Sequence, residues 1–341
     1  MMTSRDVSGD VRVAAVVVTY NRKELLMECL EALMKQTRPL QAIYIIDNAS
    51  TDGTPELLHQ EGYTPSPEGG TLTLKTPKNQ KEIRVTHIRL PENTGGAGGF
   101  HEGVKRAYQD GYDWIWLMDD DAEPLPDSLE KLLVYASDGV VALANLKVSP
   151  DGNPQFRHRG FFDFEGFGDM VQPVSPDDLK EDCVEIDHAS FVGLLVNLKA
   201  VEYVGFPRAD FFLHFDDVEY SLRLRRKGDI LLIPGSPILH KDGAMVNSGS
   251  RRILGKDVPM VPYDRLWLRY YGVRNSVWLR KMNMKWWRFY LFLLKAIPLS
   301  IGGQLISGEN ILRRVKFILN AYMDGFRGIF DNEKPKRILY G

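Results

Sequence analysis

The chain predicts an α/β protein: a mostly parallel sheet flanked by helices, continued by a basic, aromatic, helical extension at its C-terminal end. Three observations carry that reading. Short apolar runs alternate with segments of helical spacing, as parallel strands and their crossovers do. Three of the first four runs stop abruptly on polar residues. The charge balance then changes sign late in the chain: from Arg265 to Gly341 there are 15 Lys/Arg against 4 Asp/Glu, or +11, which leaves −13 for the rest of a chain whose net charge is −2.

Val11–Thr19, valine-rich and almost unbroken, reads as a buried parallel strand. Tyr20-Asn21-Arg22 turns the chain, and Leu25, Leu26, Cys29, Leu30 and Leu33 give Glu24–Gln36 a helical face. Ala42–Ile46 is the second strand, ending on Asp47-Asn48, and a helix restarts over Thr54–Gln60. Glu61–Glu82 reads as a polar, Pro- and Gly-rich loop, and Ile83–Leu90 as the third strand. Asn93-Thr94-Gly95-Gly96-Ala97-Gly98-Gly99 opens a helix through about Gln109, and Trp114–Met118 is the fourth strand. Asn145–Asp187 reads as an irregular surface excursion and Phe191–Asn197 as a strand. A helix follows from Asp216 to about Gly228, then Ile230–Ile233 and a segment ending at His240. The expected division is 1–250 (a nucleotide-binding half, about 11–122, and an acceptor half, about 123–250) followed by 251–341.

Bulk properties exclude several classes. At 341 residues, 44% hydrophobic and 26% charged, the chain is an ordinary globular one, and its net charge does not suggest nucleic acid as a partner. Cys29 and Cys183 are too few for a disulfide framework and lack metal-site spacing, which fits a reducing compartment. Met1–Asp10 shows no apolar leader, and the most apolar stretch, Trp286–Ile306, is interrupted by Arg288, Lys295, Pro298 and Gly302-Gly303.

The most pointed motif is Trp-Ile-Trp-Leu-Met-Asp-Asp-Asp at 114–121, an apolar strand running into three carboxylates. Adjacent acids at a buried strand end need compensation, commonly a divalent cation whose shell a phosphate completes. In parallel sheets ligands bind at the carboxyl ends of strands, so the clusters at Thr19-Tyr20, Asp47-Asn48 and Asp119 converge on one crevice. The alternative is a solvated turn capping the helix after Pro124. Gly95, Gly96, Gly98 and Gly99 at a helix start suit a diphosphate cradle, although Gly-rich turns are common. Asp47 could meet a base or ribose, or only make an Asx-turn with Ser50. Asp216-Asp217 at a helix start could be a helix-dipole pair. Alternatively they include a general base whose pKa is raised by its neighbour. His240 could be a metal ligand or a core histidine. Lys281, Lys285, Arg288 and Lys295 fall on one helical face beside Trp287, Tyr290, Leu291 and Leu294. That suits an interfacial helix, or one packed on its own body with a basic rim.

Taken in order, five segments resemble family 2 inverting glycosyltransferases with the GT-A fold, over roughly 11–245. They are Val-Val-Thr-Tyr-Asn-Arg (17–22), Ile-Asp-Asn-Ala-Ser-Thr-Asp-Gly-Thr (46–54), Asn-Thr-Gly-Gly-Ala-Gly-Gly-Phe (93–100), Trp-Leu-Met-Asp-Asp-Asp-Ala (116–122) and His-Phe-Asp-Asp-Val-Glu-Tyr (214–220). Their specific forms look most like bacterial galactofuranosyltransferases, with rhamnosyltransferases close by. The resemblance implies that Thr19 and Asp47 hold a uridine with Tyr20 and Arg22 nearby, and that Asn93 to Gly99 border the sugar diphosphate. It implies Asp119, Asp121 and His240 around a divalent metal (Mn²⁺ or Mg²⁺), Asp120 facing nucleotide or donor sugar, Asp217 as base and Asp216 near the acceptor. Tyr270-Tyr271-Gly272-Val273-Arg274-Asn275 also resembles a family segment, without an assigned role.

The polymerases of that family carry further N- and C-terminal domains, so this chain is expected to add one or a few sugars. The expected reaction moves galactofuranose from a UDP-sugar donor to a lipid-linked glycan acceptor. The expected place is the cytoplasm, peripheral to the inner face of the cell membrane and against its anionic surface. Transfer of rhamnose from a deoxythymidine diphosphate donor is the near alternative. A nucleotidyltransferase or a non-catalytic glycan-binding protein are the more distant ones, and a homo-oligomer is left open.

Overall fold

The structure is a computed structural model that describes residues 11–78, 80–241, 250–253, 256–259, 263–306 and 310–341. Residues 1–10, where no leader is read, lie outside the described residues, as do 242–249, which precede the boundary expected near Ser250. The chain divides into two compact units. One holds the residues through Phe162, Val171–Ala209 and those from Asp217 to Lys241. The other holds Asp163–Met170, Asp210–Asp216 and the described residues from 250 onward.

The first unit begins β1 (Val13–Thr19), α1 (Lys23–Met34), β2 (Ala42–Asp47), α2 (Thr54–Gln60), β3 (Gly69–Lys75), β4 (Glu82–Arg89), α3 (Gly95–Gln109) and β5 (Trp114–Asp119). It continues through β6 (Ala122–Pro124), α4 (Ser128–Leu133), β7 (Val140–Val148), β8 (Arg159–Phe162), β9 (Val171–Pro173), β10 (Val184–Ile186), β11 (His188–Ala189), β12 (Leu194–Asn197), α5 (Leu198–Val204), α6 (Asp216–Arg225) and β13 (Asp229–His240). The main sheet has the order β10-β13-β7-β12-β5-β1-β2-β4-β3, with β6 pairing β13. Strands β5, β1, β2 and β4 run parallel, while β12 and the edge strand β3 are antiparallel to their neighbours.

The register explains the convergence of motifs. Thr19 lies opposite Asp47, and Val18 opposite Asp119, so three strand ends meet at one carboxyl edge. Both faces of the sheet are covered. Val16, Val18, Ile46, Leu117 and Phe100 belong to one apolar core, and Val17, Ile45, Trp116, Leu26 and Leu30 to the other. That two-sided burial is why the strands read as unbroken apolar runs.

Three expectations are corrected. Gly69–Lys75 is a strand rather than loop: Thr71, Leu72, Thr73 and Leu74 alternate in the manner of an edge strand, a signal outweighed by the surrounding Pro and Gly. Part of the supposed excursion, Asn145 to Val148, ends the central strand β7, and β8, β9 and β11 form a separate three-stranded sheet. Ile230 to His240 is one strand, not two, with an irregularity between Ile233 and Pro237 that absorbs Pro234 and Gly235.

The second unit contains the hairpin β14 (Ser250–Ile253) with β15 (Lys256–Pro259), then α7 (Leu266–Asn283), α8 (Trp286–Ile306), α9 (Ile311–Arg327) and α10 (Lys334–Tyr340). Its core gathers Leu266, Tyr270, Val277, Phe289, Phe317 and Ile318. Gly325 lets α9 lie close on α7, since a Cβ there would meet the Arg274 carbonyl at 2.4 Å.

The Tyr270–Asn275 segment has a visible job here. Arg274 Nη2 donates to the Asp210 and Phe211 carbonyls, and Asn275 Nδ2 to those of Phe211, Leu213 and His214, both side chains being fully buried. The carbonyls belong to a loop in which Phe212, His214 and Phe215 all have positive φ, an arrangement non-glycine residues adopt only when tightly held.

The basic face expected over 281–295 is not continuous. Met284 is extended and breaks the helix, leaving Lys281 on α7 and the others at or on α8. Lys281 donates to the Phe326 carbonyl, Arg288 pairs with Glu165, and Lys295 lies over the Phe167 ring. What α8 does expose is apolar: Trp286, Tyr290 and Leu294, four residues apart, are 75%, 50% and 72% exposed. Among the described residues no helix is long and apolar enough to cross a membrane.

Candidate active site

The acidic triplet ends β5 as expected, and each carboxylate has its own surroundings. Thr19 Oγ1 donates to Asp120 Oδ2 at 2.7 Å. Arg22 Nη1 reaches Asp120 Oδ1 at 3.1 Å and Asp121 Oδ2 at 2.9 Å, bridging the two acids. His240, at the end of β13, places Nε2 3.3 Å from Asp121 Oδ1. Strands β1, β5 and β13, far apart in sequence, thus assemble Thr19, Arg22, Asp120, Asp121 and His240 into one cluster.

Electrostatics separate the acids. Burial, then repulsion by Asp121 and Asp120, pushes Asp119 up to about 7. Burial outweighs Arg22 and Thr19 and lifts Asp120 to about 6. Burial also opposes ionisation of Asp121, but His240 and Arg22 more than reverse it, and its pKa falls below the ordinary value. Lys147, buried on β7, adds positive charge toward Asp119 and Asp121.

The donor set suits a divalent cation in part. Asp121 Oδ1 is buried without a hydrogen-bond partner and faces an imidazole nitrogen, an oxygen–nitrogen pair that Mn²⁺ accepts. Among the described residues no three His, Cys, Asp or Glu side chains gather as a metal centre. Two protein ligands still fit, because hard divalent cations commonly take one or two carboxylates and complete their shell with substrate phosphates and water.

Asp47 forms the Asx-turn at the end of β2. It is fully buried, its Oδ1 accepts the Ser50 N–H at 2.8 Å in an Asx-turn, and Oδ2 faces His87 Nε2 at 3.7 Å. It shapes the Asn48–Ser50 turn and presents no surface to the crevice. Tyr20, in contrast, is exposed at the end of β1.

The glycine segment is held by the residue that follows β2. Asn48 Nδ2 donates to the Gly95 carbonyl, and its Oδ1 accepts from the Thr94 N–H and hydroxyl. Asn93 Oδ1 accepts from the Gly95 N–H. The glycines divide by purpose. Gly95 has φ +73°. A Cβ on Gly98 would lie 2.2 Å from Thr94 Oγ1, and one on Gly99 2.5 Å from Val18 Cγ1, so these two are small because α3 packs closely. Only Gly96 faces space, with nothing within 4 Å of its Cβ position.

Asp217 opens α6 beside Asp216. Its Oδ1 accepts the Val218 N–H at 2.7 Å, and Oδ2 lies 3.6 Å from His188 Nε2. The expectation that an adjacent acid raises its pKa is not met. Burial opposes the charge, but His188 and the Val218 N–H outweigh it, and Asp217 sits below the ordinary carboxylate value. His158 is near both groups: its ring is 6.4 Å from that of His240 and it feels the charge of Asp217. Burial, with Lys147 and Arg159, lowers its pKa to about 4.

His158, His188 and Arg159 escape sequence reading because each stands alone in an ordinary local context. Lys147 leaves a trace, as the one charge inside the run Val140–Val148.

Thr19, Arg22, the Asp119–Asp121 triplet and His240 thus meet at the carboxyl edge of a mostly parallel sheet. Residues 14–180 match the family described as Glycosyl transferase family 2, so the chain carries a Glycosyl transferase family 2 domain. It is 31% identical over 220 residues to galactofuranosyltransferase GlfT1 of Mycolicibacterium smegmatis, covering 63% of this chain and 66% of that one. It is 23% identical over 322 residues to dTDP-rhamnosyl transferase RfbF of Shigella flexneri, covering 92% and 95%. The match to GlfT1 thus spans just under two thirds of that relative's length. Among solved structures, GalNAc-T7 with UDP, GalNAc and Mn²⁺ aligns with a TM-score of 0.55 at 15% identity, over 94% of this chain and 56% of that one. S. aureus TarS 1-349 aligns at 0.52 and 13%, over 96% and 83%. These likenesses give the fold, GT-A.

Proposed function

We propose that the chain is an inverting, metal-dependent glycosyltransferase that moves galactofuranose from UDP-galactofuranose to a hydroxyl of a lipid-linked glycan. The observation that carries this reading is one cluster in the first unit: Asp121 with His240, and Asp217, with His158 near both. In this reading Asp121 and His240 hold a divalent cation, which when bound supplies positive charge against the departing diphosphate. Arg22 adds its guanidinium on the same side. Gly96, at the open first turn of α3, receives the diphosphate. Asp217 removes the acceptor proton as that oxygen attacks the anomeric carbon from the face opposite the diphosphate, and Asp216 orients the acceptor. One displacement inverts the centre, and no sugar–enzyme bond forms.

GlfT1 supports the choice of donor through its name and identity. Rhamnose from a dTDP donor is the second reading, favoured by the RfbF match over 92% of the chain. The exposed Trp286, Tyr290 and Leu294, with the +11 charge balance after Arg265, support peripheral attachment to an anionic membrane surface. The test is nucleoside diphosphate release from a panel of UDP- and dTDP-sugars with Mn²⁺ and a lipid-linked acceptor. UDP-galactofuranose is expected to turn over fastest and excess chelator to abolish it. Turnover of dTDP-rhamnose alone selects the second reading, and full activity in chelator removes the metal.

A further inference from the structure

His188 is absorbed by no role so far. It is buried, 5% exposed at the side chain, and among the described residues neither ring nitrogen has a hydrogen-bond partner. Leaving two polar ring atoms dry is costly unless the ring serves something. Its Nε2 faces Asp217 Oδ2 at 3.6 Å, slightly longer than a hydrogen bond, as contacts in ligand-free active sites often are.

The elements carrying the two residues are bolted together. Ser221 Oγ, one turn along α6 from Asp217, donates to the Ala189 carbonyl and accepts the Ala189 N–H, so α6 is tied to β11 next to His188. On the other side of His188, Asp187 accepts from Arg225 Nε of α6 and from the Phe162 N–H of β8. Gly160 lies opposite His188 in the small sheet, where any Cβ would meet the Gln172 carbonyl at 1.9 Å. The ring itself rests near Phe162. Such bracing on both sides holds a side chain to one geometry.

We propose that His188 is a positioning residue for the base: its Nε2 orients the Asp217 carboxylate so that a remaining lone pair faces the acceptor hydroxyl. Exposure sets the order, because Asp217 is 24% exposed and His188 5%, so the carboxylate meets substrate and the imidazole stands behind it. The Val218 N–H is bound to Oδ1, while His188 faces Oδ2. Arg159, also buried nearby, gives its N–H groups to Asn145, His158, Ser190 and Val192. His158 and Arg159 also feel the charge of Asp217. The lowered pKa of Asp217 agrees with this placement. The inference rests on Asp217 being the base of the proposed transfer.

The test compares wild type, His188→Phe, His188→Gln, Asp217→Asn and the double variant Asp217→Asn/His188→Phe. Phenylalanine keeps the ring against Phe162 and removes the nitrogens, while glutamine returns an N–H near the Nε2 position. His188→Phe is expected to lower kcat roughly 10- to 100-fold, the worth of a hydrogen bond to a charged group. Donor KM should stay within about twofold and His188→Gln should recover most of the rate. In the Asp217→Asn background the same change should add almost nothing. A His188→Phe enzyme as fast as wild type, or an equal loss in both backgrounds, overturns the proposal. Carboxylate-¹³C titration, with Asp217 assigned through Asp217→Asn, gives an answer independent of turnover. The Asp217 signal should titrate higher in His188→Phe, and an unmoved signal refutes the pairing. Failure of wild type to turn over any sugar nucleotide refutes the proposed function instead, and leaves this titration decisive for the pair.

Discussion

Replacing Gly99 and Gly96 separately by alanine distinguishes the two uses of glycine at the start of α3. At Gly99 the new Cβ would sit 2.5 Å from Val18 Cγ1, 3.2 Å from Cγ2 and 3.4 Å from Cβ. Ordinary carbon contacts are about 3.5–4.0 Å, so the closest overlap is about 1 Å. Val18 cannot swing aside, since β-branched side chains have few χ1 choices and its strand is paired on both sides by β2 and β5. Overpacking of this kind costs about 1–3 kcal/mol. Alanine recovers about 0.5–1 kcal/mol over glycine in a helix interior. The net for Gly99→Ala is a loss of about 1–2 kcal/mol, accompanied by pressure on the neighbouring Thr19–Asp120 bond. At Gly96 the methyl meets nothing within 4 Å, so stability should be unchanged or rise by up to about 1 kcal/mol. That methyl would instead stand where the proposed diphosphate approaches. Urea unfolding and calorimetric titration with UDP measure the two effects separately. Gly99→Ala should shift the midpoint down with an unchanged m-value, and Gly96→Ala should weaken UDP binding without loss of stability. Equal UDP affinity in Gly96→Ala and wild type would refute the placement of the diphosphate. An undiminished midpoint for Gly99→Ala would refute the packing argument.

The remaining predictions address base, clamp, pH and surface. Asp217→Asn should lose about 10²–10⁴-fold in kcat with donor binding nearly intact, and Asp216→Asn should be milder or act through acceptor KM; the reverse ranking would move the base to Asp216. Asn275→Ala takes the amide donor from the Leu213 and His214 carbonyls, while that of Phe211 keeps Arg274, and should destabilise the second unit by about 2 kcal/mol or more, visible as a lowered Tm. His158 has a depressed pKa of about 4, so between its ordinary value and about 4 the unfolded chain binds more protons than the folded one. Stability therefore rises with pH across that window and is lost as pH falls through it, and His158→Phe should flatten the slope in denaturant titrations from pH 4 to 7. Liposome flotation should fall as salt rises and as anionic lipid is removed, and Trp286→Ala with Leu294→Ala should reduce it further, whereas binding indifferent to all three would remove the membrane proposal.

Periodicity and punctuation are legible in the chain alone. Val13–Thr19, Ala42–Asp47 and Trp114–Asp119 are strands buried on both faces, and such strands write themselves as unbroken apolar runs. Their polar ends, Thr19, Asp47 and the Asp119–Asp121 triplet, had to share one edge once the strands were parallel, so the crevice was legible before any coordinates. The edge strand Gly69–Lys75 was not, because an exposed strand needs only weak alternation and its Pro and Gly neighbours mask that.

Tertiary structure decided which residues act together. Asp121 and His240 are over a hundred positions apart and meet only because β13 pairs with β6, just after β5. His188 reaches Asp217 only because Ser221 and Arg225 bind α6 to the strand that carries it. The same long-range packing turned Asp47 inward to Ser50 and His87, assigned Gly98 and Gly99 to helix packing, and broke the supposed basic stripe at Met284. Local pattern reports how a segment meets water. It holds no information about which distant side chain fills the space beside a buried carboxylate, and pKa, orientation and ligand geometry are set by that neighbour.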